Sequence, residues 1–127
     1  MHLLGTHHVA ILTTNFEALE TFYTQTLGFP VTRRWDDAGI IFVDIGSTKV
    51  ELIRKDAAGE APGPHALGQG TGINHIALHV ADTDAAFQEL VSAGVKVLRE
   101  PSDFKTVRIA FLSDPDGNVL ELVEELG

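Results

Sequence analysis

The chain lacks cysteine altogether, and this absence removes several kinds of chemistry. Without thiols there can be no disulfide framework, no thiolate zinc site and no cysteine nucleophile. Long apolar runs are also missing, since no stretch approaches the roughly 18 residues that span a bilayer. Basic residues are scarce: 9 Lys and Arg stand against 18 Asp and Glu, which gives a formal net charge of −9. Such a surface repels phosphate backbones and argues against nucleic-acid binding.

The first residues contain no basic stretch followed by an apolar one, so we expect no signal peptide and a cytoplasmic protein. The 127 residues, 44% of them hydrophobic, match the length of one ordinary domain with its own core. The negative charge still allows an anionic small-molecule substrate, because such a substrate requires only local positive charge.

The two halves of the chain repeat one pattern, in which an apolar strand is followed by a helix and three further strands. We expect the first helix to begin at Asn15 and to end at Gly28, since these residue types cap helices. By the same rule, the second helix begins at Asp82 and ends at Gly94. The predicted strands are 8–12, 30–35, 40–45 and 49–54 in the first half, and 75–80, 95–99, 106–112 and 119–124 in the second.

This order predicts an α+β fold of two βαβββ modules in tandem, within one domain that spans residues 1–127. Module one covers residues 5–55, a linker covers 56–71 and module two covers 72–127. The linker is rich in Gly and Pro and lacks periodicity, which favours a solvent-exposed connection; a flap over a ligand is the alternative. The segment 114–117, Asp-Pro-Asp-Gly, predicts a type I turn before the last strand.

One His and one Glu recur at matching places in both halves: His8 and Glu51 are 43 positions apart, and His75 and Glu121 are 46 apart. A carboxylate inside an apolar strand is costly unless it is protonated, paired or bound to metal. Taken singly, each of these residues is better explained as structural, and Lys49 is an available partner for Glu51. Their joint recurrence favours a site in which all four bind one divalent cation.

The remaining histidines have no counterpart in the repeat. His79 shares a strand face with His75, but Leu12 stands at its place in the first half. We therefore expect His79 to line a cavity or to pack structurally rather than to bind metal. Three others lack any supporting context and are expected at the surface: His2, His7 and His65.

Several motifs resemble the vicinal oxygen chelate superfamily, and together they cover essentially the whole chain. They are His8-Val-Ala-Ile, Phe22-Tyr23 with Leu27-Gly28-Phe29, Val50-Glu51-Leu52, Asn74-His75-Ile76-Ala77-Leu78 and Asp114-Pro-Asp-Gly-Asn-Val-Leu-Glu121-Leu. The resemblance implies two βαβββ modules whose mixed sheets curl around a metal site, and a homodimer. It also implies that His8, Glu51, His75 and Glu121 match the four ligand positions of glyoxalase I, the lactoylglutathione lyase, and of the methylmalonyl-CoA epimerases.

The activity implied by this resemblance is that of a metal-dependent lyase or isomerase, which moves a proton next to a carbonyl through a metal-stabilised enediolate. We expect one divalent metal: Ni, Co, Zn, Mn or Fe. Glu121 is the candidate base, with Glu51 as a second candidate, because the matched strands offer no better one. The substrate is expected to be a small molecule, either a thiol adduct or an acyl-CoA.

Glyoxalase I-like chemistry is favoured by the carboxylate at position 51, and a methylmalonyl-CoA epimerase-like isomerase is the alternative. Against the epimerase, the stretch before the last strand reads Ser113-Asp114-Pro115 where epimerases usually have His-Pro-Lys. Extradiol dioxygenases and fosfomycin-modifying enzymes use a His, His, Glu triad, and a metal-free drug-binding protein of the bleomycin-resistance type is the non-enzyme alternative.

Charge alone marks five residues as candidates for substrate binding, although surface roles are expected for most: Arg33, Arg34, Arg54, Lys105 and Arg108.

Overall fold

The computed structural model describes residues 1–56, 67 and 71–127. The chain forms two compact units, Met1–Ala61 and Pro62–Gly127. Each unit carries a four-stranded mixed sheet and one main helix, so the predicted α+β class and the tandem modules are confirmed. Most of the predicted linker lies outside the described residues, and so does His65.

The first unit contains the elements β1 (His8–Thr13), α1 (Phe16–Thr21), β2 (Val31–Trp35), β3 (Ile40–Asp44) and β4 (Lys49–Arg54). Its strand order is β1-β4-β3-β2. Strands β1 and β4 run parallel, and the other neighbours run antiparallel. The parallel pair is made possible by the helix crossover between β1 and the hairpins that follow it.

The second unit repeats this topology with β5 (His75–His79), α2 (Thr83–Ser92), β6 (Lys96–Phe104), β7 (Val107–Ser113) and β8 (Val119–Glu125). Its strand order is β5-β8-β7-β6, again with one parallel pair, β5 and β8. The predicted turn at 114–117 is present: the amide of Gly117 donates to the carbonyl of Asp114 at 2.9 Å. The Asp114 carboxylate also accepts the amides of Asp116 and Asn118, which stiffens the approach to β8.

The two helices are capped differently. Asp82 caps α2 as predicted, since its side chain accepts the Ala85 amide at 3.0 Å. Asn15 precedes α1 but makes no side-chain cap, and its amide instead donates to Thr13 Oγ1 at 2.8 Å. The predicted single helix up to Gly28 is also incorrect in part, because residues Phe22–Thr26 form a π-helical segment after α1.

Strand β6 continues to Phe104, well past the end predicted at residue 99. It passes through Pro101, which a strand tolerates only at an edge or a bulge because proline donates no ladder hydrogen bond. Both conditions hold, since β6 is the edge strand of its sheet and its register with β7 shifts between Arg99 and Ser102.

Each helix packs on one face of its sheet, and the alternating apolar residues of the central strands point to that face. In the first unit the residues buried there include Leu19, Tyr23, Ile41, Val43, Val50 and Leu52; in the second they include Phe87, Leu90, Ala110, Leu112, Leu120 and Leu122. Alternation therefore places the predicted ligands on the opposite face, which we call the ligand face of each unit. In the part of the chain that the structure describes, no helix is long and apolar enough to cross a membrane.

Candidate metal centre

The ligand face of the first unit brings His8 and Glu51 together. Strands β1 and β4 are parallel neighbours, and Ala10 pairs with Glu51 in register. His8 is two residues before Ala10, so its side chain lies on the same face. The Nε2 atom of His8 lies 3.3 Å from Oε1 of Glu51. The side chain of Glu51 is only 11% exposed, so its carboxylate depends on this contact in place of bulk water.

The second unit reproduces the arrangement with His75 and Glu121. Ala77 pairs with Glu121 across the parallel strands β5 and β8. The Nε2 atom of His75 lies 3.2 Å from Oε1 of Glu121, whose side chain is 15% exposed. The repeat seen in the sequence thus extends to the distance between the two polar atoms.

Within each pair, the distance between the nitrogen and the oxygen fits two ligands of one cation. Two donor atoms that each lie about 2.1 Å from a metal, at right angles to one another, are about 3 Å apart. Both His–Glu pairs come within a few tenths of an ångström of this separation, with ring Nε2 and carboxylate Oε1 as the atoms that face each other. Imidazole nitrogen and carboxylate oxygen are donors that divalent first-row metals accept.

A neighbour in sequence holds the far nitrogen of each histidine ring. Nδ1 of His75 lies 2.9 Å from Oδ1 of Asn74, and Nδ1 of His8 lies 2.8 Å from Nδ1 of His7. Because the amide oxygen accepts, Nδ1 of His75 is the donor in this contact, and Nε2 is the ring atom left to bind a cation that Glu121 also binds. The same tautomer of His8 requires that His7 accept, so His7 is exposed but not without a role.

Aromatic rings support both histidines from the neighbouring strand. The rings of His8 and Phe42 meet edge to face with centroids 5.5 Å apart, and those of His75 and Phe111 do the same at 5.5 Å. Each phenylalanine pairs in register with the glutamate of its unit, and both are buried. Each imidazole is therefore held between a polar partner and an aromatic wall.

Leu67 is the described residue near the middle of the predicted linker, and it lies within the second unit. It is partly buried against a cluster formed by Ile109, Phe111 and Val119. This cluster lies on the ligand face, since Phe111 contacts the ring of His75. A flap over a ligand stays a prediction.

Arg108 does not lie on the ligand face, although its charge made it a candidate for substrate binding. Its side chain lies on the same face of β7 as Ala110, which is the face toward the helix. There Nε and Nη2 donate to the two oxygens of Asp84 at 2.6 and 3.0 Å. Nη1 donates to Asp103 at 2.9 Å. These carboxylates raise the pKa of the Arg108 guanidinium, and Arg108 in turn lowers the pKa of Asp84.

Two further candidates are engaged in the same way in the first unit. Arg34 pairs with Glu20, and Arg54 donates to Glu17 at 2.6 Å. Both glutamates come from the helix α1, so these arginines also belong to the helix face. Lys105 is in the turn between β6 and β7, at a positive φ of 52°.

Arg33 is the one candidate that the structure places on a ligand face, because it pairs in register with Phe42. Arg99 occupies the corresponding place in the second unit, where it pairs with Phe111. Sequence reasoning missed Arg99, since only the shifted register of β6 puts it on that face. Sequence reasoning also missed the contacts of His7 and Asn74, and their position directly before the paired histidines was the available signal.

Among the described residues, three acidic side chains lie close enough to share a cation, with ligand atoms within 4.8 Å: Asp82, Asp84 and Glu124. All three already have partners. Asp82 accepts the Ala85 amide, Asp84 binds Arg108 and Glu124 accepts the Thr83 amide at 2.9 Å. They stabilise the positive N-terminal end of α2, which accounts for their clustering.

Comparison with known proteins identifies the family of the chain. Residues 5–122 match the model of the Glyoxalase/Bleomycin resistance protein/Dioxygenase superfamily. The lactoylglutathione lyase of Escherichia coli O157:H7 is 33% identical over 110 residues, which cover 82% of this chain and 80% of that protein. The ethylmalonyl-CoA/methylmalonyl-CoA epimerase of Cereibacter sphaeroides is 32% identical over 108 residues and 72% of each chain.

Among solved structures, that of SMU.1112c superposes with a TM-score of 0.79 at 29% identity, and the match covers 97% of this chain and 100% of that one. The similarity therefore extends over the whole length and both units. The chain belongs to the glyoxalase/bleomycin resistance protein/dioxygenase superfamily.

Proposed function

We propose that the protein is a divalent-metal-dependent lyase or isomerase of the glyoxalase I type, active in the cytoplasm as a homodimer. It moves a proton on the carbon next to a carbonyl of a small-molecule substrate. The observation that carries this proposal is the repeated His–Glu pair, with Nε2 to Oε1 distances of 3.3 and 3.2 Å on the two ligand faces. The similarity to a lactoylglutathione lyase at 33% identity supports the same reaction class.

His8, Glu51, His75 and Glu121 are the proposed ligands of one metal ion. Two carboxylates balance the charge of a divalent cation, and two imidazoles complete a donor set that suits Ni, Co, Zn, Mn or Fe. When bound, such a metal supplies Lewis acidity toward substrate oxygens. The hydrogen bonds from the rings of His8 and His75 to residues 7 and 74 hold the donor nitrogens in place.

Glu121 is the proposed proton acceptor, with Glu51 as the second carboxylate. Its side chain is largely shielded from water, and the buried ring of Phe111 pairs with it across the strands. A carboxylate at this position can accept the proton from the carbon next to the substrate carbonyl. His75 beside it keeps the carboxylate oriented.

An epimerase acting on an acyl-CoA is the second candidate. Its support is the relative at 32% identity and the near-identical geometry of the two His–Glu pairs. Inversion at a carbon requires one group to remove a proton and another to return it on the other side, and the two glutamates offer two such groups.

A substrate panel with several divalent metals tests these proposals. It comprises methylglyoxal with glutathione, methylmalonyl-CoA and a catechol. Turnover of the first supports the lyase, and turnover of the second alone supports the epimerase. Turnover of the catechol alone would overturn the proton-transfer proposal in favour of oxygen chemistry. Ligand binding without any metal in the protein would favour a drug-binding function, and sedimentation analysis reports on the dimer.

A further inference from the structure

The five arginines divide into two groups by the charge around them. Arg34, Arg54 and Arg108 are each paired with carboxylates on the helix face. Arg33 and Arg99 make no ion pair with any described residue, and their guanidinium groups instead lie 5.2 Å from the Trp35 ring centroid and 5.7 Å from that of Phe111. On the ligand faces, both arginine charges therefore lack a carboxylate partner among the described residues.

In the first unit, Arg33 lines a cavity of about 190 Å³. The lining residues are His7, Thr32, Arg33, Phe42 and Lys49. Two of the five are cations and none is acidic. Asp44 pairs in register with Lys49 from the next strand, but the two make no ion pair, and the Asp44 carboxylate accepts the Gly46 amide at 2.7 Å.

The cavity is contiguous with the proposed ligands. His7, one of its walls, contacts Nδ1 of His8, and Phe42 meets the ring of His8 edge to face. Lys49 is two residues before Glu51 and on the same face of β4. A molecule that reaches the His8–Glu51 pair would thus have a second group within reach of Arg33 and Lys49.

The described residues of the second unit repeat the His–Glu pair but not all of the residues that line the cavity. By register, Val119 faces His75 where Lys49 faces His8, and Asn74 replaces His7. Arg99 remains, so one cation is present where the first unit has two. The internal symmetry holds at the proposed ligands and breaks at the residues that line the cavity.

We propose that the cavity of Arg33 and Lys49 is a subsite for an oxyanion, a carboxylate or a phosphate, carried by the substrate. Arg33 and Lys49 make no ion pair with any described residue and so attract such a group, and arginine binds its oxygens in a bidentate fashion. The volume suits one polar group rather than a whole ligand, since cavities for drug-sized molecules start at about 300 Å³. As a substrate element, the subsite rests on the proposed function; as an anion site, it can be measured without turnover.

The test is a titration of the isotope-labelled protein with inorganic phosphate, and separately with acetate, followed by amide chemical shifts at low ionic strength. We expect saturable shifts centred on residues 32, 33 and 49 with at least one of the two anions. Arg33→Gln and Lys49→Val should each weaken binding about fivefold or more, because each removes a charge-assisted contact. Arg99→Gln, the matched variant in the second unit, should leave the dissociation constant unchanged.

Absence of saturable binding with both anions, or equal weakening by Arg99→Gln, would overturn the subsite. A parallel metal titration of the same samples separates this result from the proposed function. Binding of a divalent metal without anion binding at Arg33 would contradict the subsite and support the metal proposal. Binding of the anion without metal would support the anion site and contradict the metal proposal.

Discussion

The side chain of Asn74 holds His75 in the orientation that a metal ligand needs. Its Oδ1 lies 2.9 Å from Nδ1 of His75, and Nε2 on the opposite side of the ring lies 3.2 Å from Glu121. The hydrogen bond to Asn74 thus orients the ring so that Nε2 faces the Glu121 carboxylate, where the two atoms can bind one cation. His7 stands in the same relation to His8 in the first unit, with nitrogen in place of oxygen.

Replacing Asn74 by Ala should weaken metal binding about 10- to 100-fold, the usual effect of removing the hydrogen-bond partner of a ligand histidine. Asn74→Asp should restore most of the affinity, because a carboxylate oxygen also accepts from Nδ1. Competition with a chromophoric chelator gives the dissociation constants. His79→Ala is the control, since this imidazole lies on the same strand and makes no hydrogen bond or ion pair with His75 or Glu121. Unchanged affinity in Asn74→Ala would show that the hydrogen bond does not position the ligand.

Glu121→Gln should lower kcat about 10²- to 10⁴-fold at saturating metal, because an amide cannot accept the substrate proton. The side chain keeps its size and its place beside His75, so the urea midpoint of unfolding should change little. Glu51→Gln provides the matched variant in the other unit, and the ratio of the two kcat values identifies the principal base. Full activity of Glu121→Gln, with the panel substrate that the parent protein converts, would show that this residue does not take part in proton transfer.

Phe111 should matter for stability as well as for the site. It is 6% exposed, and Phe111→Ala should lower the free energy of unfolding by about 3 kcal/mol or more, the cost of emptying a buried aromatic position. Phe104, in the neighbouring strand β6, is 58% exposed, so Phe104→Ala should cost less than about 0.5 kcal/mol. Urea unfolding of both variants measures the difference. Equal effects would contradict the burial of Phe111 against the ligand face.

The ion pair of Asp84 and Arg108 should make stability depend on pH at the acidic end. Arg108 lowers the pKa of the Asp84 carboxyl in the folded protein, so the pair stabilises the fold above the ordinary Asp value of about 4. This contribution is lost as the pH falls from there through the lowered folded pKa. Asp84→Asn should therefore unfold at a lower temperature than the parent at pH 7, and the gap should narrow toward pH 2.

Asp37→Asn is the control for this measurement, since Asp37 forms no ion pair with any described residue. Its melting temperature should follow that of the parent protein at every pH. A gap between the parent and Asp84→Asn that persists unchanged to pH 2 would show that the carboxylate charge is not the source of the stabilisation.

The sequence sufficed to predict the tandem modules and to single out two His and two Glu residues as the candidate site. Hydrophobic alternation defines strands and faces, and Glu51 and Glu121 are conspicuous because they interrupt otherwise apolar strands. The Nε2 to Oε1 distances in the two pairs, 3.3 and 3.2 Å, agree closely because the first and last strands of each unit pair in parallel.

Other features depend on information that residue patterns do not carry. The ligand-face position of Arg99 follows from a register shift in β6 between Val97 and Arg99. The helix-face ion pair of Arg108 follows from contacts between elements distant in sequence. The π-helical turn after α1 has apolar residues at ordinary helical spacing, so nothing in that spacing distinguishes it from an α-helix.

The most direct test of the account is the metal content of protein purified without chelator and of four variants: His8→Ala, Glu51→Gln, His75→Ala and Glu121→Gln. Because each ion is proposed to need two His–Glu pairs, the parent should hold one equivalent of divalent metal per chain. Each substitution, in either unit, should reduce its affinity at least tenfold while the circular dichroism spectrum stays unchanged. A parent protein that takes up no divalent metal, or metal retained after substitution of either pair, would contradict the central claim.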